Sequence, residues 1–289
     1  MTRLKGIIAV MISAVVFGSM PLMAKIVYQE GGNAVTLTFL RFIIVLPVLY
    51  FFVSQNKKIS TKVTKEEFKK LLIIGTFGYG GTALTLYMSY NYIASGIATT
   101  LHFVYPVLVI LAYVILFKYP ASSTKLLAVS LTLIGVLLLN DSGGEVSLLG
   151  IGLAFGSAIT YSFYVVFLDR SGLKNMHPLK MTMYLCLVAS TMMFIYGLST
   201  KTLVISMSPL GWGVSTILAL MVAFFGVSLF QIGVSLIGPE STSILSTLEP
   251  ITSIVIGVVI FNEVITTRMI FGFAAILAAV IITTVFDRS

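Results

Sequence analysis

Apolar residues run along this chain in long, nearly unbroken stretches separated by short polar punctuation. Ten stretches can be marked, at 6–27, 34–54, 70–91, 95–117, 123–139, 147–168, 178–198, 210–236, 239–261 and 267–286. The hydrocarbon layer of a bilayer is about 30 Å thick, and a helix needs roughly 20 apolar residues to cross it. A membrane barrel strand would instead alternate apolar and polar positions over about ten residues. Backbone groups in lipid must pair internally, and a helix does this within one segment. The pattern therefore predicts an all-α integral membrane fold of ten transmembrane helices. The stretches use nearly all of the 289 residues and leave no segment for a soluble catalytic domain. The first follows Arg3 and Lys5 but is too long for a secretory signal, so it reads as a retained span.

Composition agrees. Hydrophobic residues make up 58% and charged residues 10%, against about 25% charged in soluble domains. The net charge of +8 invites a nucleic-acid reading, but its distribution argues otherwise. With the N-terminus in the cytoplasm and ten alternating spans, fourteen lysines and arginines fall on the inner side. Four, Lys25, Arg41, Lys201 and Arg268, fall on the outer. This is a positive-inside bias, which predicts a cell-membrane protein with both termini cytoplasmic and its basic loops on anionic lipid. The longest loop, about 55–69, carries Lys57, Lys58, Lys62, Lys65 and Lys69 and is expected to form a short interfacial helix. Cys186 is the only cysteine, so no intrachain disulfide and no thiolate cluster can form. No cofactor and no metal are expected.

A shift of 144 places lays Gly6 on Gly150, Ser13 on Ser157, Phe17 on Tyr161, Pro106 on Pro250 and Phe117 on Phe261. A constant offset from the first stretch to the ninth reads as an internal duplication, dividing the chain into repeats at 1–143 and 144–289. Each repeat holds five spans, an odd number, so the second must enter the membrane from the opposite side. Transporters use such inverted repeats because two similar halves can rock about a central site.

Ionisable groups at membrane depth are costly and usually face a cavity or a partner. Glu249, about ten residues into the ninth stretch, and His102, a third of the way along the fourth, stand out. Thr242, Ser246, Glu249 and Ser253 share one helix face by their spacing, and Ala98, His102, Tyr105 and Val109 hold the equivalent positions. Inverted symmetry sets these faces across one space, with Ser246 and Glu249 on one wall and His102 and Tyr105 on the other. Glu249 and His102 are the candidates for coupling to protons, since burial and neutral-range titration suit that role. Phe17 and Tyr161 are repeat equivalents, as are Tyr87 and Gln231, and Tyr79 adds another ring. Such rings stack on a ligand or cradle a cation. Structural bonding between helices competes with each of these readings. Pro106 and Pro250 each fall mid-span and predict paired kinks or hinges.

Leu248-Glu249-Pro250 followed by an apolar run and Phe261-Asn262-Glu263 resembles the ninth helix of EamA-type proteins of the drug/metabolite transporter superfamily. Gly272 with Ala279, and Ala128 with Gly135, resemble that family's tenth and fifth helices. One departure is Lys118-Tyr119-Pro120, where such families often close helix four with an acid. The resemblance implies a central cavity between the halves, lined by helices one, three, four, six, eight and nine. It implies no particular substrate.

The expectation is a secondary transporter of small organic metabolites, with amino acids or related amine-bearing solutes ranked first. An organic-cation efflux carrier is the alternative, ahead of a sugar-phosphate or lipid translocator. Phosphate ranks low because no lysine or arginine is expected near the midplane, Arg41 being assigned to the outer end of helix two. An intramembrane enzyme ranks last, as no HExxH or GxSxG occurs. The expected partners are a small solute, membrane lipid and protons, with the chain a monomer or weak homodimer.

Overall fold

The computed structural model describes residues 2–56, 59–120, 123–139, 147–246 and 248–286. Lys57, Lys58, Arg288 and the 143/144 repeat boundary lie outside the described residues, as do the side chains of Pro106, Gln231 and Thr242. All regular structure among the described residues is helical. The first half contains α1 (Thr2–Gly18), α2 (Met20–Gln29), α3 (Ala34–Gln55), α4 (Lys65–Ile73), a π-helical segment (Ile74–Gly80), α5 (Gly81–Ser89), α6 (Ser95–His102), α7 (Tyr105–Phe117) and α8 (Ser123–Leu139). The second contains α9 (Leu148–Ser171), a 3₁₀ turn (Leu173–Asn175), α10 (Pro178–Ser199), α11 (Pro209–Leu220), a second π segment (Met221–Gly226), α12 (Val227–Ser246), α13 (Leu248–Phe261) and α14 (Thr267–Phe286).

Seven helices among the described residues are long and apolar enough to cross a membrane. They are Arg3–Gln29, Ala34–Gln55, Lys65–Ser89, Ser95–Phe117, Leu148–Ser171, Pro178–Ser199 and Pro209–Phe230. Shorter apolar helices at Leu126–Gly135, Leu248–Phe261 and Thr267–Ala279 lie within the fifth, ninth and tenth stretches. The chain is a multi-pass membrane protein.

Local chemistry sets the ends. The Asn33 side chain accepts the Thr36 N–H and starts α3, and Thr64 with Glu67 forms a capping box at α4. Ser147 and Ser208 cap α9 and α11. Repeat equivalents Lys118 and Asn262 both adopt positive φ, 58° and 53°, directly after α7 and α13. Departure from right-handed geometry at those positions ends both helices.

Three expectations are corrected. Residues 59–64 are not helical, and the helix expected of the longest loop starts only at Lys65, where α4 leads on into the third span. Ile59 is buried, Tyr184 donates to the Thr61 carbonyl and Lys180 to that of Lys62, so the segment is tied to α10 instead. The fourth stretch is not one kinked helix but α6 and α7, broken at Phe103–Val104 with Pro106 in the first turn of α7. Proline is tolerated there because the first N–H groups of a helix have no internal acceptor. The loop expected between 236 and 239 is absent, and α12 continues to Ser246. A proline such as Pro239 removes one hydrogen bond without necessarily ending a helix.

The packing obeys an exchange rule between halves. α3 packs on α10 and α8 on α14, each an element against its own equivalent. α1 packs on α12 and, correspondingly, α9 on α5. Asn33 donates to the Thr202 carbonyl, and Phe39 meets Phe194 with ring centroids 5.7 Å apart, so α3 and α10 run antiparallel. Ala128 joins Ala279 while Gly135 meets Gly272, so α8 and α14 do as well. The two π segments also fall in equivalent spans. A β-carbon on Gly78 would lie 3.0 Å from Tyr164 Cβ, and one on Gly226 would lie 3.3 Å from Val16 Cγ1. Glycine lets each π segment approach the neighbouring helix closely.

Candidate functional site

A cavity of about 580 Å³ lies between the halves. Its wall is drawn from α1, α3, α5, α6, α7, α9, α10, α12 and α13 together with the first π segment and Met20 of α2. Of the expected site residues, Phe17, Tyr79, His102, Tyr105, Tyr161, Ser246 and Glu249 line it. Tyr87 does not. It is fully buried behind the wall and accepts a hydrogen bond from Arg41. Nothing is described of the Gln231 side chain.

Aromatic rings form a continuous row along one side. Phe42 meets Tyr79 at 5.0 Å between centroids, Tyr79 meets Tyr164 at 6.0 Å, and Tyr164 stacks on Tyr161 at 5.5 Å. Tyr161 then meets Tyr105 edge-on at 4.6 Å, and His102 lies within 5.7 Å of both. Offset and edge-on contacts suit the ring quadrupoles. No hydrogen bond joins the hydroxyls of Tyr105 or Tyr161 to another group among the described residues, which leaves both available to a ligand.

His102 is tied into the helix packing. Ser157 Oγ gives its one proton to the Ala154 carbonyl at 2.6 Å, so at 3.0 Å it receives one from His102 Nδ1. The ring proton is thereby assigned to Nδ1. Ser13, the equivalent of Ser157, donates to the Gly226 carbonyl at the end of the second π segment. Ser253, from the polar stripe of Glu249, bonds Thr99 of α6 at 3.1 Å and is fully buried. That member of the stripe holds helices together. Glu249 differs, since no hydrogen bond or ion pair to its carboxylate is found among the described residues.

Arg41, assigned to the outer end of its span, nevertheless lines the same cavity. It is the eighth residue of α3, roughly 10 Å along the helix from Ala34. The signal was present in the sequence as a cation interrupting an apolar run.

Polar clusters sit at opposite ends of the α6–α7 span, on either side of the cavity. At its start, Lys25 Nζ lies 2.5 Å from Glu263 Oε1, and that carboxylate also accepts from the backbone N–H and hydroxyl of Ser95. Lys25 stands 4.2 Å from the Phe261 ring centroid. At its end, Tyr113 donates to Asp169 at 2.6 Å and Arg170 lies 4.1 Å from the Phe117 ring centroid. Lys25 and Asp169 are repeat equivalents, as are Phe261 and Phe117. Where the first half carries Tyr119 in place of an acid, the aromatic rings and Asp169 supply the contact.

The described residues thus form a helical membrane protein with a polar-and-aromatic cavity between two similar halves. The EamA-like transporter family matches residues 4–141 and again 148–285, and the chain belongs to that family. It is similar to the uncharacterized transporter sll1319 of Synechocystis sp., at 34% identity over 197 residues, covering 65% of this chain and 58% of that relative's length. A solved crystal structure matches 98% of this chain and 97% of its own with a TM-score of 0.66, at 15% identity, a likeness of fold.

Proposed function

We propose that this protein is a secondary carrier working by alternating access, which moves a small organic solute bearing an amine, amino acids fitting best. In this reading ten transmembrane helices form two inverted five-helix repeats, 1–143 and 144–289, in the cell membrane with both ends in the cytoplasm. The observation that carries it is Glu249, an acid without a hydrogen-bonding partner among the described residues, on the wall of an aromatic-lined cavity. An ammonium group suits that carboxylate, and the rings of Tyr105 and Tyr161 favour a cation or an apolar side chain. The antiparallel course of α3 against α10 and α8 against α14 supports the inverted arrangement. The clusters at the two ends of α6–α7 support gating, with one releasing while the other holds. Glu249 and His102 remain the candidates for carrying a proton in exchange.

The alternative is efflux of organic cations, favoured by the length of the aromatic row. Counterflow of labelled L-phenylalanine and of tetraphenylphosphonium into liposomes holding the purified protein separates the two. Saturable exchange of the amino acid is expected, lost on Glu249→Gln. Exchange of the cation alone would replace the first reading with the second, and linear unsaturable flux of both would exclude a carrier.

A further inference from the structure

Arg41 is a cation whose environment supplies only part of what a buried guanidinium needs. The group carries five N–H donors in a fixed planar fork and stays charged at any physiological pH. Nη1 donates to the Tyr87 hydroxyl at 3.1 Å, while Nε is buried with no hydrogen-bond partner among the described residues. The faces of Phe42 and Tyr87 lie 5.6 and 5.7 Å from the guanidinium carbon. These rings and the hydroxyl hold the group in place, yet none carries a negative charge. No acid pairs with Arg41 within 4 Å among the described residues. A charge taken out of water is costly unless paired, so this site is incomplete as it stands.

The surroundings secure the fork. The Tyr87 hydroxyl accepts from Arg41 and turns its own proton toward Met20 Sδ, 3.9 Å away. Tyr28 bonds the Tyr87 carbonyl at 2.8 Å, tying α2 to α5 behind the arginine. Held in this way, Arg41 also lines the cavity. Glu249 lines the same cavity, and no direct ion pair joins the two. One cavity of about 580 Å³ thus holds a cation and an acid on its wall that do not pair directly.

We propose that Arg41 is the anion-binding end of the transport site and receives the carboxylate of a zwitterionic solute whose ammonium group faces Glu249. Tyr87 is a positioning residue that holds the guanidinium. The inference rests on the amine-binding role of Glu249 for its cationic half and adds the anionic half, so a solute with both charges at short separation binds better than one with either alone.

Equilibrium binding to purified protein in detergent tests this with three probes: L-phenylalanine, its methyl ester, and 3-phenylpropionate. Wild type is expected to bind phenylalanine about tenfold more tightly than the ester, the range of one charge-assisted contact. Arg41→Gln is expected to weaken phenylalanine about tenfold and leave the ester within about twofold, so the preference collapses. Tyr87→Phe is expected to move affinities the same way by less, and Arg41→Lys to restore part of the preference. Thermal melts confirm that each variant is folded, and Tyr87→Phe carries the test if Arg41→Gln is not. Equal weakening of both amine probes by Arg41→Gln, or by Tyr87→Phe where that variant carries the test, would overturn the proposal. So would a wild type that prefers the ester, although the amine-binding reading would stand. A wild type that binds only 3-phenylpropionate, or no probe, would overturn both.

Discussion

Lys25, midway along α2, and Glu263, just beyond the end of α13, meet at 2.5 Å, and the same carboxylate caps the first turn of α6 through Ser95. Three helices are joined by one side chain. Replacing Glu263 with Gln puts an amide, a weaker acceptor and itself a donor, where a carboxylate accepts from an ammonium, an amide N–H and a hydroxyl. A loss of about 1–3 kcal/mol is expected, read as a lower Tm of the purified protein. In a Cys186→Ser background, Ser246→Cys should also label faster with an impermeant thiol reagent from the Lys25 end. A Tm and labelling rate equal to wild type would remove the gating role of this contact.

The cluster at the other end is weaker. The side chains of Asp169 and Arg170 are each 40% exposed, whereas those of Lys25 and Glu263 are 20% and 11% exposed. Solvent screens exposed pairs to below about 1 kcal/mol. Tyr113→Phe, which deletes the 2.6 Å bond to Asp169, is therefore expected to change Tm little. The same cavity cysteine in otherwise wild-type protein should label faster from the Tyr113 end than from the Lys25 end. The reverse order would refute the inequality.

Glu249→Gln preserves shape and removes charge. Because no hydrogen bond to the carboxylate is found among the described residues, Tm should stay within a few degrees of wild type while counterflow falls at least about tenfold, one lost charge-assisted contact or more. A large fall in Tm with intact exchange would make the acid a structural group.

Gly18 lies against α13. A β-carbon there would stand 2.6 Å from the Glu249 carbonyl oxygen and 2.6 Å from Thr252 Cβ. Backbone cannot yield as a flexible side chain can, so Gly18→Val is expected to cost about 1–3 kcal/mol and to displace Glu249 from the cavity wall. The measurement is Tm together with phenylalanine affinity, and both should fall.

Much of this was legible in the sequence, for identifiable reasons. Continuous apolar runs located the helices because lipid allows little else, and the constant offset matched Ser13 to Ser157 and Phe117 to Phe261. His102, Tyr105, Ser246 and Glu249 all line the cavity, as helical spacing plus the duplication had grouped them, although Ser246 ends α12 and Glu249 belongs to α13 rather than both sharing one helix face. Arg41 was not grouped with the cavity because position along an apolar stretch says nothing of where a long side chain reaches. Tyr87 was read as facing the cavity, but a tyrosine backing an arginine has the same sequence pattern as one lining a wall. The docking of Ile59 and Thr61 against α10 depends on a surface made by distant residues, and polar composition alone does not report it.

The paired π segments make the cavity sensitive to chain length. A π bulge accommodates one residue more than regular winding would, and each residue of an α-helix turns the chain by roughly 100°. Deleting a single residue within Ile74–Gly80 would let the helix rewind and swing Thr82, which lines the cavity, toward another face. An in-frame loss of one codon could thus reshape the chamber while leaving every apolar stretch long enough for the bilayer.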